Sequence, residues 1–229
     1  MNTTSNRRRA FEMPMSNPAT KFIDWKSNEK AFSFYDKENK VNVPIPLPFR
    51  FLALDELHTV KGWSDSCQSA IYSNEVKFIS KEPLTVKPFK GNEIAKGLYS
   101  DIKEKVKAAG AHYVKSIYIM LEDGSLANLQ LKGASCQSWG DFTQKGRSRL
   151  PEEWVTVESA IEGKKGAVKY YTPYFKFDKS LSENENTMAD DAFAILETYL
   201  KAYLVKAEPV IDAIDSDVLA TIDEDDLEF

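Results

Sequence analysis

Cysteine and histidine are scarce in this chain: its 229 residues hold two of each, Cys67, Cys136, His58 and His112. Neither cysteine lies at the spacing of a disulfide framework or a zinc knuckle, and two histidines cannot complete a four-ligand metal site. No metal or other cofactor is expected. The ten glycines are dispersed. None builds the Gly-rich strand-to-helix turn that cradles a phosphate, since Gly91-Asn92-Glu93 lacks both the further glycines and the lysine. A Gly-x-Ser-x-Gly nucleophile elbow is absent too. No apolar run is long enough for a membrane-spanning helix. Arg7, Arg8 and Arg9 are followed by Ala-Phe-Glu-Met-Pro-Met rather than by the apolar stretch of a signal peptide. These absences point to a reducing, intracellular setting and leave little for an enzyme.

Basic residues are missing from one place in particular. Glu208 to Phe229 carries nine acidic residues and no Lys or Arg, a charge of −9. The whole chain holds 30 basic against 35 acidic residues, so residues 1–207 balance at +4, and residues 1–177, with 27 basic against 20 acidic, at +7. A mildly basic body is therefore tied to an acidic arm. The arm ends Asp223-Glu224-Asp225-Asp226-Leu227-Glu228-Phe229, an apolar pair within a run of carboxylates. Such a segment suits a basic pocket on a partner and competes for a basic groove on its own body. Taken alone, its composition also fits a solvated, disordered terminus. Paired carboxylates on such an arm cannot preorganise a catalytic metal site.

What the chain has in quantity is apolar and aromatic residues, 42% and 12%, ample for a core. Residues 1–20 are rich in Asn, Ser, Thr, Pro and Arg without periodicity and read as a disordered basic arm. Lys21 to Asp36 reads as one or two short strands closing on Asp36-Lys-Glu-Asn-Lys40. The alternate prolines of Val43 to Phe49 force an edge or a connection. Short strands are expected at Phe51 to Val60, Ala70 to Tyr72, Val76 to Ile79 and Leu84 to Val86, with Gly62-Trp63-Ser64-Asp65 breaking the first run. Ile94, Leu98, Ile102 and Val106 recur at helical spacing, giving a helix over Asn92 to Ala109 that stops at Gly110. A hairpin follows, His112 to Leu121 and Leu126 to Lys132 around Glu122-Asp-Gly-Ser, with Ala127, Leu129 and Leu131 on the apolar side and Asn128, Gln130 and Lys132 on the other. Gly133 to Phe142 reads as a short helix carrying Trp139, then a basic loop with Lys145, Arg147 and Arg149. Trp154 to Ala160 and Ala167 to Phe177 form a closing pair of strands around a flexible tip at Glu162 to Gly166. Thr187 is the expected cap of a last helix, with Phe193, Leu196, Leu200 and Leu204 facing the body and Pro209 beyond its end.

Aromatic and basic residues interleave on these strands. Lys61 with Trp63, Lys77 with Phe78, Lys87 with Phe89, Lys169 with Tyr171, and Tyr174 beside Lys176 are the candidate nucleic-acid contacts, together with Lys132, Lys145, Arg147, Arg149, Lys164 and Lys165. Bases of a single strand stack on aromatic faces for about 1–3 kcal/mol each, while Lys and Arg neutralise phosphates. Most of the aromatics are needed in the core all the same.

A resemblance adds to this reading. At Lys21-Phe-Ile-Asp-Trp-Lys, Phe34-Tyr-Asp-Lys, Pro46-Leu-Pro-Phe, Gly97-Leu-Tyr-Ser-Asp-Ile-Lys and Val114-Lys-Ser-Ile-Tyr-Ile the chain resembles a group of small bacteriophage proteins of the replication-type single-stranded DNA-binding kind. The resemblance covers most of residues 18–177. It implies a mainly β, OB-fold-like barrel with an inserted α-helix, a C-terminal helix and disordered termini. It further implies a non-enzymatic protein of the host cytoplasm that coats single-stranded DNA in phage replication or recombination. The implied organisation is a basic arm (1–20), a DNA-binding domain (21–177), a linker and helix (178–207) and an acidic tail (208–229). In such proteins the tail recruits replication and recombination partners and shields the DNA groove; Asp223, Glu224, Asp225, Asp226, Leu227, Glu228 and Phe229 match by charge and by the terminal Phe. Homo-oligomers are compatible with this reading, a membrane partner is not. Two alternatives stay open: a non-enzymatic protein-interaction or virion-associated adaptor whose aromatics are core, and an RNA-directed or nuclease-accessory protein.

Overall fold

A computed structural model describes residues 16–205, and apolar alternation puts nearly half of these into strands. Residues 1–15 of the basic arm, and the acidic tail from Glu208, lie outside the described residues, as does Pro209. The strands are β1 (Lys21–Lys26), β2 (Ala31–Asp36), β3 (Val41–Ile45), β4 (Phe49–Ser64), β5 (Ser69–Ser73), β6 (Leu84–Pro88), β7 (Ala95–Gly97), β8 (Ala111–Met120), β9 (Leu126–Lys132), β10 (Glu153–Lys165) and β11 (Val168–Ser180). The helices are α1 (Tyr99–Ala108), α2 (Gly133–Gly146) and α3 (Glu183–Val205), with a 3₁₀ turn at Arg147–Arg149.

The strands form one open, mixed sheet in the order β3-β2-β1-β9-β8-β4-β5-β6-β7, with β10 joined to β4 and β11 to β10. β1 runs parallel to β9; the other ladders are antiparallel. The expected closed barrel is not present as a ladder. Where the curled sheet comes round on itself, two side-chain bonds join β1 to β11: Trp25 Nε1 donates to the Tyr171 carbonyl at 2.8 Å and the Tyr171 N–H to Ser27 Oγ at 2.8 Å.

β4 is the spine. Its first residues pair with β10 (Val157↔Phe49, Val155↔Phe51), its middle with β8, and its end with β5 (Lys61↔Tyr72, Trp63↔Ala70). A register shift between Ala53 and Asp55 bends it between these partners. Gly62-Trp63 therefore does not end a strand as the sequence suggested. A Cβ at Gly62 would lie 2.3 Å from the Gly110 carbonyl oxygen, so glycine is what lets β4 pass the end of α1.

Three apolar clusters divide the sheet. The first lies inside the curl, where Ile23, Phe32, Phe51, Ile117, Leu129, Val155 and Phe175 close over Trp139 of α2. The second lies on the opposite face, where Ala189, Ala192, Leu196, Tyr199 and Leu200 of α3 cover Leu52, Leu57, Tyr118 and Trp154. The third joins α1 to β4–β7 through Val60, Ile71, Val86, Ile102 and Val106. Each fully buried large side chain contributes about 1.5–3 kcal/mol.

Several expected boundaries move. Ile94 and Leu98 share the spacing of Ile102 and Val106, yet Ala95–Gly97 pairs with β6 as a strand and the helix begins only at Tyr99. Val76 to Ile79 makes a single bridge to His58 rather than a strand. Helix α2 runs on through Lys145, so the basic loop is a helix end and a 3₁₀ turn. β10 and β11 continue to Lys165 and from Val168, leaving almost no loop at the tip. α3 starts at Glu183, and Thr187 lies inside it with its hydroxyl donating to the Glu183 carbonyl at 3.1 Å. Phe193 and Leu204 face outward, at 43% and 40% exposed.

Candidate nucleic-acid interface

Cross-strand register decides which of the expected contacts share a surface. Lys87 of β6 pairs with Tyr72 of β5, Tyr72 with Lys61 of β4, and Lys61 with His112 of β8, so these four side chains form one transverse row on one face. The neighbouring row on that face holds Trp63, opposite Ala70, and Phe89, whose N–H donates to the Ala70 carbonyl at 2.7 Å. Ala70 is buried, while Phe89 is 42% exposed and Trp63 half-buried. Lys132 of β9, opposite Val114, and Lys96 of β7, opposite Thr85, extend the basic character along the same face. The inner face of these strands is filled by the third apolar cluster, which is why aromatic and basic residues remain for the outer one.

The charges on this platform are tightly held. Burial pushes the Lys61 ammonium below its ordinary pKa, and the Glu75 and Asp24 carboxylates oppose that shift; its Nζ lies 5.3 Å from the centre of the Phe22 ring. Burial likewise lowers His112, aided by Lys132 and Lys107.

The remaining expected contacts fall elsewhere. Lys164 and Lys165 are exposed at the β10–β11 tip. Lys169 pairs there with Glu162 at 3.0 Å, Tyr171 donates its hydroxyl to the same carboxylate at 2.9 Å, and Lys30 lies 4.0 Å from the centre of the Tyr171 ring. The Ser27–Tyr171 bond ties this hairpin to the end of β1. Parallel pairing of Asp24 with Gln130 puts that end level with Lys132. Tyr174 stands 48% exposed further along β11. Arg149 is committed to Glu153 by two 2.6 Å bonds and stacks 4.1 Å from the Phe177 centroid. Lys145 and Arg147 are exposed at the end of α2; Lys77 is paired with Asp55, and Phe78, at 56% exposed, lies beside Lys81. The tail residues Asp223 to Phe229 lie outside the described residues.

Asn128 and Gln130 do not face solvent as their alternation suggested. Gln130 donates to Asn128 at 3.1 Å, Asn128 to Ser116 at 2.7 Å, and Ser116 to Glu75, which also accepts from the Tyr118 hydroxyl at 2.8 Å. This buried polar chain satisfies its members and fixes the floor between the platform and α3. Tyr72, His112 and Lys96 are the platform residues that sequence reading missed. Only the register of β5 and β6 against β4 could have revealed them.

Among the described residues no group of three or more His, Cys, Asp or Glu could hold a metal ion, and no helix is long and apolar enough to cross a membrane. No protein-family profile, curated protein or solved structure matches this chain.

Proposed function

We propose that this chain is a non-enzymatic single-stranded DNA-binding protein of a bacteriophage, which takes the strand on the Trp63 face of the sheet. The observation that carries this reading is the row Lys87–Tyr72–Lys61–His112 beside Trp63 and Phe89, an alternation of rings and cations on one surface. Rings at this spacing offer sequence-independent stacking, and the lysines between them suit the phosphates. The path β9-β8-β4-β10-β11, with α2 between β9 and β10, further supports an OB-like arrangement. In such a fold the face of the second and third strands and the first and last inter-strand connections take oligonucleotides. Here these are β8–β9, the β4–β8 connection that holds β5 to β7, and the β10–β11 tip with Lys164, Lys165 and Lys169. The acidic residues 208–229 then serve to recruit replication or recombination proteins in the host cytoplasm, Leu227 and Phe229 filling an apolar pocket while the carboxylates steer.

Anisotropy titrations with labelled single-stranded and duplex oligonucleotides test the reading. Single strands should bind more tightly, with affinity falling steeply as salt rises. Equal affinity for duplex would refute the stacking face, and no binding to either at low salt would favour the adaptor.

A further inference from the structure

An open sheet leaves strand edges, and several of those here are blunted. β3 carries Pro44 with Pro46 after it, and β7 is three residues long. The outer edge of β11 is filled by side chains: Tyr171 gives its N–H to Ser27 and its carbonyl accepts from Trp25, while the Pro173 carbonyl accepts from Ser138 Oγ at 2.8 Å. β10 differs. It pairs with β4 only from Val155 to Val157, and the chain before Phe49, with Pro46 and Pro48, lacks the donors to follow it further. From Ala160 to Lys165 it runs on beside β11, and among the described residues no other backbone bonds to it.

Register shows which backbone groups this leaves open. Residues opposite each other in an antiparallel pair either exchange both bonds or turn both groups outward. Tyr171 directs its N–H and carbonyl to β1, so Glu162 opposite it also turns its N–H and carbonyl away from β11. Lys164, two residues on and opposite Lys169, does the same. The side chains of Glu162, Lys164, Lys169 and Tyr171 share one face, where Lys164 is set against a like charge and Lys169 reaches diagonally to Glu162. On the other face Gly163 lies beneath the Tyr170 ring. A Cβ at Gly163 would be 2.3 Å from Tyr170 Cζ, so the ring reaches from β11 across β10 toward the open edge. Ile161 and Val168 are exposed on that same face.

We propose that this edge of β10 pairs with the same edge of a second copy of the chain, antiparallel about a two-fold axis through Gly163. Backbone direction and charge select the register. Outward-turned residues must meet outward-turned residues, and an axis at Glu162 would oppose two carboxylates. About Gly163, each Glu162 exchanges its N–H and carbonyl bonds with the second copy's Lys164, and the like-charge opposition of Lys164 to Lys169 gains a carboxylate on its other side. The glycines meet at the axis, leaving room above them for the two Tyr170 rings to lie side by side. The aliphatic stem of Lys165 covers the second copy's Ile161. The contact is isologous, so it closes at a dimer. An edge this short gives a weak, reversible one, and it does not depend on the stacking face.

Sedimentation equilibrium of the full chain at low salt, from micromolar to millimolar concentration, reads the assembly. Wild type should pass reversibly from monomer to dimer, and the Glu162 and Lys164 amides should exchange with solvent more slowly as the dimer forms. Lys164→Glu and Glu162→Lys each oppose like charges in this register and should weaken dimerisation about tenfold or more. Mixed in equal amounts, the two variants set carboxylate against ammonium at both pairs and should associate at least as tightly as wild type. Both positions are exposed, and circular dichroism checks that each variant is folded. Wild type that stays monomeric at millimolar concentration, variants that dimerise like wild type, or a mixture that associates no more tightly than its components would overturn the proposal.

Discussion

Replacing Glu56 with Gln would remove the negative charge that Lys115 and Trp139 share. The Glu56 and Lys115 side chains are only 16% and 17% exposed, so solvent screens the pair weakly and Lys115 would be left as an uncompensated cation. Breaking a buried pair costs about 3–5 kcal/mol. The Gln oxygen can still accept from Trp139, which moves the expectation to the lower end, about 3 kcal/mol. For a domain of this size that lowers Tm by roughly 6–12 °C. Urea unfolding monitored by circular dichroism measures the change. Adding Lys115→Met should recover a large part of the loss, because the second change removes the orphaned charge. The pH dependence carries a further sign. Burial raises the Glu56 pKa, but the bonds from Lys115 and Trp139 outweigh it and hold the carboxyl below its ordinary 4.5. Stability from this group is therefore present above 4.5 and is lost as pH falls through the lowered folded-state value, so wild type and Glu56→Gln should converge in acid. A Glu56→Gln variant within about 1 kcal/mol of wild type at neutral pH would refute the reasoning and reduce the pair to a screened surface bridge.

Three other predictions concern the platform, the hairpin and the spine. Trp63→Ala and Phe89→Ala should each weaken single-strand binding by about 1–3 kcal/mol, read by anisotropy, with similar losses across oligonucleotide sequences. Lys164→Ala, Lys165→Ala and Lys169→Ala together should flatten the salt dependence by about 0.7 in log–log slope for each phosphate contact removed, while Tm stays nearly constant because the lysines are exposed. Gly62→Ala should be among the most damaging single-methyl changes in the chain, since its Cβ would meet the Gly110 oxygen at 2.3 Å; a soluble variant with wild-type urea midpoint would contradict the close crossing.

The β8–β9 hairpin was legible because everything that specifies it is local: Asp123-Gly124 makes the turn and alternation sets the strands. Gly62 misled for the opposite reason. Its purpose is the approach of Gly110, 48 positions away by numbering, and no local rule separates such a glycine from a break. The early start read for α1 failed similarly, because Ile94 fits a helical stripe but the edge of β6 captures Ala95 to Gly97. Asn128 and Gln130 look like a solvent face until Ser116 and Glu75 are brought to them. For the candidate interface, adjacent pairs such as Lys61 with Trp63 and Lys87 with Phe89 were visible along the chain. Their sharing of one face depends on long-range register, and so does the recruitment of Tyr72 and His112.

Intrinsic fluorescence tests the central claim most directly. Of the four tryptophans, Trp25, Trp139 and Trp154 are at most 5% exposed, and only Trp63 lies on the proposed stacking face. Titrating a single-stranded oligonucleotide into the protein should quench emission. In Trp63→Phe, which keeps a ring for stacking, most of that quenching should vanish while binding persists by anisotropy. Quenching of unchanged amplitude in Trp63→Phe, or binding with no quenching in the wild type, would contradict a strand lying on this face.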